Sequence, residues 1–334
     1  MSTAALDQPR TLSSGLPLAS GLIALAISAA VLAGRMPIAF SIATVFLFAG
    51  PHNWLEARYI LGRLPARAGK LWSFFTVSLV GIVGLTAAFA YIPSYLGRPS
   101  AILEADSLYA GWNTAFLLWA ATLVWMRSRT NPRFDGGWVW PLAFLLIAGV
   151  WLRPFALSVA LVYLHPLMAL WLLDRELRRS HPAWRPAYHA CLLAIPLLMG
   201  LLFWRLHDAL PLISDDPVSL AIAQHAGDWY LTGISNHFLV AAHTFLETVH
   251  YGVWIILIPL VGYRSKPWQL DTIPVARRGG GWRTGVIALL LIGLLLVSVL
   301  WVCFALDYGT TRYVYFVVAL LHVLAEGPFL LRMI

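Results

Sequence analysis

The sequence predicts an all-α protein, a polytopic transmembrane helical bundle of about ten helices with both termini cytoplasmic. Of its 334 residues, 60% are hydrophobic and 11% are charged, whereas a soluble domain carries roughly 25% charged residues. Apolar stretches of about 20 residues, long enough to cross a hydrocarbon core of ~30 Å, recur from Leu16 to the end of the chain. No polar block is large enough for a second domain. We therefore expect residues 1–334 to form a single integral membrane domain that begins with a short cytoplasmic segment, 1–15.

Proline, glycine and charged residues divide the chain into its elements. The predicted spans, in order, are 16–34, 37–60, 71–92, 107–126, 138–153, 154–174, 187–206, 235–262, 283–306 and 312–332. Only Arg153-Pro154 joins the fifth span to the sixth. These two spans are therefore either a tight hairpin or one irregular segment.

Positively charged residues gather on alternate loops, and this sets the predicted orientation. Lys and Arg cluster in 58–70, 127–133, 175–185 and 264–283, while the loops between them carry aspartates and scattered cations. The positive-inside rule places these clusters in the cytoplasm and the long loop 207–234 outside. We thus expect a multi-pass protein of the cell inner membrane. The net charge of +8 lies in short clusters between apolar spans rather than on one helix face, so it does not indicate nucleic-acid binding.

Four predicted spans contain ionisable residues, which cost on the order of 2.5–3.5 kcal/mol each near the middle of a membrane helix and therefore mark functional sites. The second span ends in Pro51-His52-Asn53-Trp54-Leu55-Glu56, the sixth holds His165, the eighth holds His243, Glu247 and His250, and the tenth holds His322 and Glu326. Three of the four contain His-x-x-x-Glu, and residues four apart share one face of a helix. All four spans are predicted to run from the outer to the inner side, and the helical rise allows these groups to meet in one layer.

A metal ion explains this set of side chains most simply, because a cation compensates buried carboxylates. Histidine with glutamate is the ligand mixture of non-haem iron or zinc. The predicted ligands are His52, His165, His250 and His322, with His243 and Glu247 next. Glu56 and Glu326 are predicted catalytic residues, which bind a second ion or orient the imidazoles and accept protons. The expected cofactor is iron, as one or two ions, with zinc less favoured.

At these same residues the chain resembles the Brp/Blh family, membrane β-carotene cleavage dioxygenases that make retinal with iron held by histidines from several transmembrane helices. The first motif of that family reads Pro-His-Gly-x-x-Asp, and Pro51-His52-Asn53-Trp54-Leu55-Glu56 is similar, with Glu for Asp. The second family motif, of the Ile-His-Phe-Gly type, is similar to Leu164-His165, although Pro166 stands where the family has an aromatic residue.

The third and last family motifs lie in the eighth and tenth spans. The third has two histidines four apart followed by aromatic residues, which is similar to the region of His243, Glu247 and His250-Tyr251. The last is Pro-His followed by an acidic residue, which is similar to Leu321-His322 and Glu326. The resemblance covers residues from about 50 to 330 and implies an iron-dependent dioxygenase with a carotenoid-like substrate.

Three functional hypotheses remain open from the sequence. The first is a membrane iron-dependent oxygenase or oxidase whose lipophilic substrate, such as a carotenoid, prenyl or acyl lipid, enters from the bilayer. The second is a transporter or proton-relay protein that uses buried His and Glu without metal. The third is a bis-histidine haem subunit for electron transfer. The sequence leaves open whether the chain is part of an oligomer or a larger complex.

Overall fold

The computed structural model describes residues 15–65, 69–131, 135–212, 216–262 and 269–333, and all regular structure in these ranges is helical. The α-helices in order are α1 (Leu16–Arg35), α2 (Pro37–Leu61), α3 (Trp72–Leu96), α4 (Ala105–Thr130), α5 (Val139–Leu152), α6 (Ala156–Leu164), α7 (Leu167–Ser180), α8 (Arg185–Leu192), α9 (Ala194–Leu206), α10 (Pro217–His225), α11 (Asn236–Gly252), α12 (Ile258–Val261), α13 (Gly281–Leu306) and α14 (Tyr308–Met333). Nearly all of the predicted cytoplasmic segment 1–15, and parts of the charged loops, lie outside the described residues.

Each predicted span coincides with one helix or with two consecutive helices. By length and composition, seven described helical segments can cross a membrane, and the bent pair α5–α6 would be an eighth. The protein is therefore an all-helical bundle with the character of a membrane protein, while the count of ten spans and the cytoplasmic termini stay predictions. The axes of α5 and α6 differ by 116°, so the chain turns sharply at Arg153-Pro154, and the pair is either one broken span or a re-entrant loop.

Helix α11 forms the centre of the bundle. Every residue from Leu239 to Gly252 is buried, and α11 packs against α1, α2, α7 and α9. The other candidate spans present leucine, isoleucine, valine and tryptophan outward, as expected where lipid is the solvent. Immediately after His250, α11 passes through a π-helical turn, Val253–Leu257, into α12. Such turns recur at functional sites.

Helices α2, α4, α7 and α14 end at the same face of the bundle. Arg127, near the end of α4, donates a hydrogen bond from Nε to the carbonyl of Leu331 at 2.9 Å. Arg332 of α14 donates to the carbonyl of Arg63, just after α2, and Arg63 forms an ion pair with Glu176 of α7. These four helices belong to the second, fourth, sixth and tenth predicted spans and run in the same direction through the bundle. The membrane orientation inferred from the charged loops stays a prediction.

Candidate metal centre

Four imidazole rings from four different segments meet inside the bundle. His52 lies on α2, His165 lies at the break between α6 and α7, His250 on α11 and His322 on α14. Their ring centroids form a closed cycle: His52 to His250 is 5.4 Å, His250 to His165 is 4.8 Å, His165 to His322 is 5.3 Å, and His322 to His52 is 5.3 Å. A metal–nitrogen bond of about 2.1 Å places neighbouring rings on one ion roughly 4.6–5.3 Å apart. The four rings are thus spaced as ligands of a single ion would be.

In two of these imidazoles, one ring nitrogen forms a hydrogen bond and the other has no hydrogen-bond partner among the described residues. His52 Nδ1 lies 3.1 Å from the carbonyl of Phe48, and His250 Nδ1 lies 3.1 Å from the carbonyl of Pro166. A carbonyl only accepts, so each Nδ1 carries the proton and each Nε2 keeps its lone pair. Both Nε2 atoms are buried and have no partner among the described residues. Histidines that bind metals typically donate their second N–H in this way.

The other two imidazoles, those of His165 and His322, differ from these in their hydrogen bonds. His165 Nδ1 lies 3.1 Å from Glu326 Oε2, the carboxylate–histidine arrangement that orients many metal ligands. Neither ring nitrogen of His322 has a hydrogen-bond partner among the described residues. His165 retains 17% side-chain exposure and His322 is also partly exposed, whereas His52 and His250 are each 1% exposed. Access to the centre is therefore best on the side of His165 and His322.

The carboxylates near these rings lack the partners that burial demands. Glu56 is 1% exposed, and within the described structure neither of its oxygens accepts a hydrogen bond. Glu326 is 2% exposed, and its Oε1 has no partner there either. A buried charge without compensation costs several kcal/mol. The unpartnered oxygens and nitrogens fit a bound cation.

Two overlapping sets of donor atoms could hold an ion. The donors of His52, Glu56, His250 and His322 all lie within 4.8 Å of one another, and those of His165, His250 and Glu326 form a second set by the same measure. His250 belongs to both sets. Because its Nδ1 is engaged by Pro166, it has one nitrogen left and can bind one ion only.

His243 and Glu247, also predicted as ligands, lie outside both sets. His243 and His250 share a helix face but are seven residues apart, about 10.5 Å along the axis. His243 instead lies 5.0 Å from the ring of His225, a residue without a predicted role. Glu247 Oε1 accepts a 2.7 Å hydrogen bond from the Tyr251 hydroxyl, and the Tyr251 ring stacks on His52 at 4.1 Å.

A largely apolar cavity of about 850 Å³, open to the surroundings and bounded by α6, α7, α8, α9 and α11, lies next to the segment that carries His165. Leu164 and Leu167, on either side of His165, form part of its wall, and Ala242 lines it from α11. Asp174 and His189 also line the cavity. The segment 164–167 therefore separates the cavity from the four imidazoles.

Comparisons of the chain with protein-family models, with curated proteins and with solved structures give no match. The resemblance of short motifs to the Brp/Blh family stays a prediction.

Proposed function

We propose that the chain is an integral membrane, iron-dependent oxygenase or oxidase that acts on a lipophilic substrate. The observation that carries the proposal is the closed cycle of four imidazoles together with buried, unpartnered carboxylate oxygens. A divalent cation offsets that negative charge. Imidazole with carboxylate suits iron, with zinc as the less favoured ion.

His52, His250 and His322 would hold the ion and Glu56 would supply a carboxylate oxygen, since their donor atoms all lie within 4.8 Å of one another. His165 would be the remaining ligand, and its donor atoms group with those of His250 and Glu326. Iron in such a site supplies the redox chemistry that activates oxygen. The single free nitrogen of His250 favours one ion over two, because both donor sets depend on that ligand.

Glu326 is a positioning residue in this proposal. Its Oε2 accepts from His165 Nδ1, which aims the other nitrogen of that ring at the centre and increases its basicity. Its second oxygen, Oε1, stays available to take up a proton. In this proposal Glu56 binds the ion, while Glu326 orients an imidazole and can accept a proton; the sequence predicted these roles for both residues together.

The substrate class follows from the cavity. A space of about 850 Å³ with a largely apolar lining suits a hydrocarbon chain, such as that of a carotenoid, prenyl or acyl lipid. Since Leu164 and Leu167 line this space on either side of the partly exposed His165, a bound chain would lie against the His165 side of the centre. An apolar surround also excludes bulk water from reactive species.

The test is elemental analysis of the detergent-purified chain, combined with oxygen uptake in the presence of membrane lipid extracts. We expect iron near one ion per chain and lipid-dependent oxygen uptake. Ala242→Trp fills the cavity away from the ligands, so it should keep the iron and lose the uptake. A preparation that binds no iron, or an Ala242→Trp variant with full uptake, would overturn the proposal.

A proton relay is the second candidate, and it is favoured by the polar groups that continue along α11. The ring of His225 faces that of His243, and Tyr251 donates to Glu247 one turn further on. Proton movement in vesicles by a metal-free preparation would favour this candidate over the oxygenase.

A further inference from the structure

Four arginines from four helical segments gather at the face where α2, α4, α7 and α14 end. Arg63 follows α2, Arg127 lies near the end of α4, Arg179 near the end of α7 and Arg332 near the end of α14. Arg127 binds the carbonyl of Leu331, next to Arg332. Arg332 in turn binds the carbonyl of Arg63. These contacts join the helix ends into one basic cluster.

The cluster carries more positive charge than its carboxylates balance. Arg63 is paired with Glu176, which also accepts from the Tyr59 hydroxyl at 3.2 Å. No other carboxylate in the described part of the chain forms an ion pair with Arg127, Arg179 or Arg332. Arg179 nevertheless lies one helical turn beyond Glu176 on α7, the residue that pairs with Arg63, and Arg127 binds the carbonyl of the residue next to Arg332.

Capping of helix ends explains only part of this arrangement. Cations at helix C-termini bind the last carbonyls and interact favourably with the helix dipole. Each guanidinium has five N–H donors, however. Arg332 uses one of its nitrogens on the Arg63 carbonyl, and Arg127 uses two on Leu331 and Thr130. Arg127, Arg179 and Arg332 therefore keep N–H donors that capping does not use, and their positive charges lie at the same face of the bundle.

We propose that this basic cluster binds the phosphate headgroup of an anionic phospholipid in the leaflet at this face. The guanidinium fork matches two phosphate oxygens, and basic pockets between transmembrane helices on the cytoplasmic side bind anionic headgroups. If these helices span the bilayer, their ends would lie at headgroup depth, and three charges without a carboxylate partner among the described residues favour an anionic over a zwitterionic lipid. The proposal is independent of the metal centre.

The experiment measures lipid bound to the full-length purified chain. Native mass spectrometry would compare retained phosphatidylglycerol with phosphatidylcholine after exposure to equal amounts of each. Arg179→Gln is the test variant, because Arg179 is exposed and its loss should leave folding intact. Arg175→Gln is the matched control, since it removes the same charge one turn earlier on α7, where the guanidinium lies 4.7 Å over the Trp171 ring.

We expect the native chain to prefer phosphatidylglycerol. Arg179→Gln should reduce that preference about tenfold, and the double variant Arg127→Gln/Arg179→Gln about 100-fold, at about 1.5 kcal/mol for each charge-assisted hydrogen bond lost. Arg175→Gln should keep the native preference. Equal losses in Arg175→Gln and Arg179→Gln would show diffuse charge attraction and overturn the site. Retention of inorganic phosphate by a native chain that shows no preference for phosphatidylglycerol would overturn the lipid as its ligand.

Discussion

The sharpest test of the metal centre compares two buried histidines on one helix. His250 and His243 both lie on α11 and are 1% and 6% exposed, but only His250 belongs to a possible ligand set. Replacing each by glutamine removes an imidazole from the same helix face and leaves an amide that can still donate a hydrogen bond. The two variants therefore differ mainly in whether a metal ligand is lost.

The expected magnitude follows from the ligand geometry. Loss of a group that merely orients a ligand costs 10- to 100-fold in metal affinity, so removal of His250 itself should cost at least about 100-fold. His250 is the one residue common to both donor sets, so neither set remains complete without it. His243→Gln should change the affinity by less than about threefold, since a helix rise of about 10.5 Å separates His243 from the centre.

Elemental analysis gives the metal content of each variant. Competition with a chelator of known affinity then measures how far His250→Gln and His243→Gln change the metal affinity. Thermal unfolding of the metal-stripped variants controls for folding, because His250→Gln also risks leaving the Pro166 carbonyl without its donor, at about 1–3 kcal/mol. Native metal content in a folded His250→Gln variant would refute the centre. Loss of metal in His243→Gln would show that the eighth-span ligand prediction was right and that the argument from height along α11 is wrong.

Two further predictions concern the carboxylates. Glu326→Gln removes the charge that accepts from His165 Nδ1 and should weaken metal binding 10- to 100-fold while the ligands stay in place; unchanged affinity in chelator competition would exclude that positioning role. Glu56→Gln removes a buried charge whose oxygens have no partner among the described residues. The metal-stripped variant should therefore unfold at a higher temperature than the metal-stripped native chain, and added metal should raise its unfolding temperature less. A lower unfolding temperature for the stripped variant would contradict this account.

The helix boundaries follow from local chemistry, which is why the sequence predicts them well. Helix α2, predicted over 37–60, runs from Pro37 to Leu61. It begins with proline in the first turn, where no N–H partner is needed, and it ends at Gly62. The break between α6 and α7 was not predicted, although Pro166 lacks the N–H that would continue α6 and is a local signal for a break. What leaves no local signal is the contact made there, because the Pro166 carbonyl is the acceptor for His250, 84 residues away.

The candidate site was predictable where helical period alone decides the geometry. Glu56 and Glu326 follow His52 and His322 by four residues and lie at the same centre as those histidines. The helical period could not show which of His243 and His250 lies at the centre, because residues seven apart lie on the same face of an α-helix. Only the neighbours that each meets, His225 for the first and His52 for the second, distinguish their heights in the bundle.

The metal centre and the basic cluster should respond to mutation independently, although both include residues of α2 or its end and of α14. Arg332 lies six residues beyond Glu326 on α14, about 9 Å along the helix, and Arg63 lies beyond the end of α2 at Leu61, seven residues after Glu56. Effects at sites separated by more than about 7–10 Å without shared partners usually add. The double variant His250→Gln/Arg179→Gln should therefore show the metal loss of the first change and the lipid preference of the second, each within about twofold of the single variant. A larger deviation would mean that lipid binding at the helix ends changes the ligand geometry, because the four helices would then move as one unit.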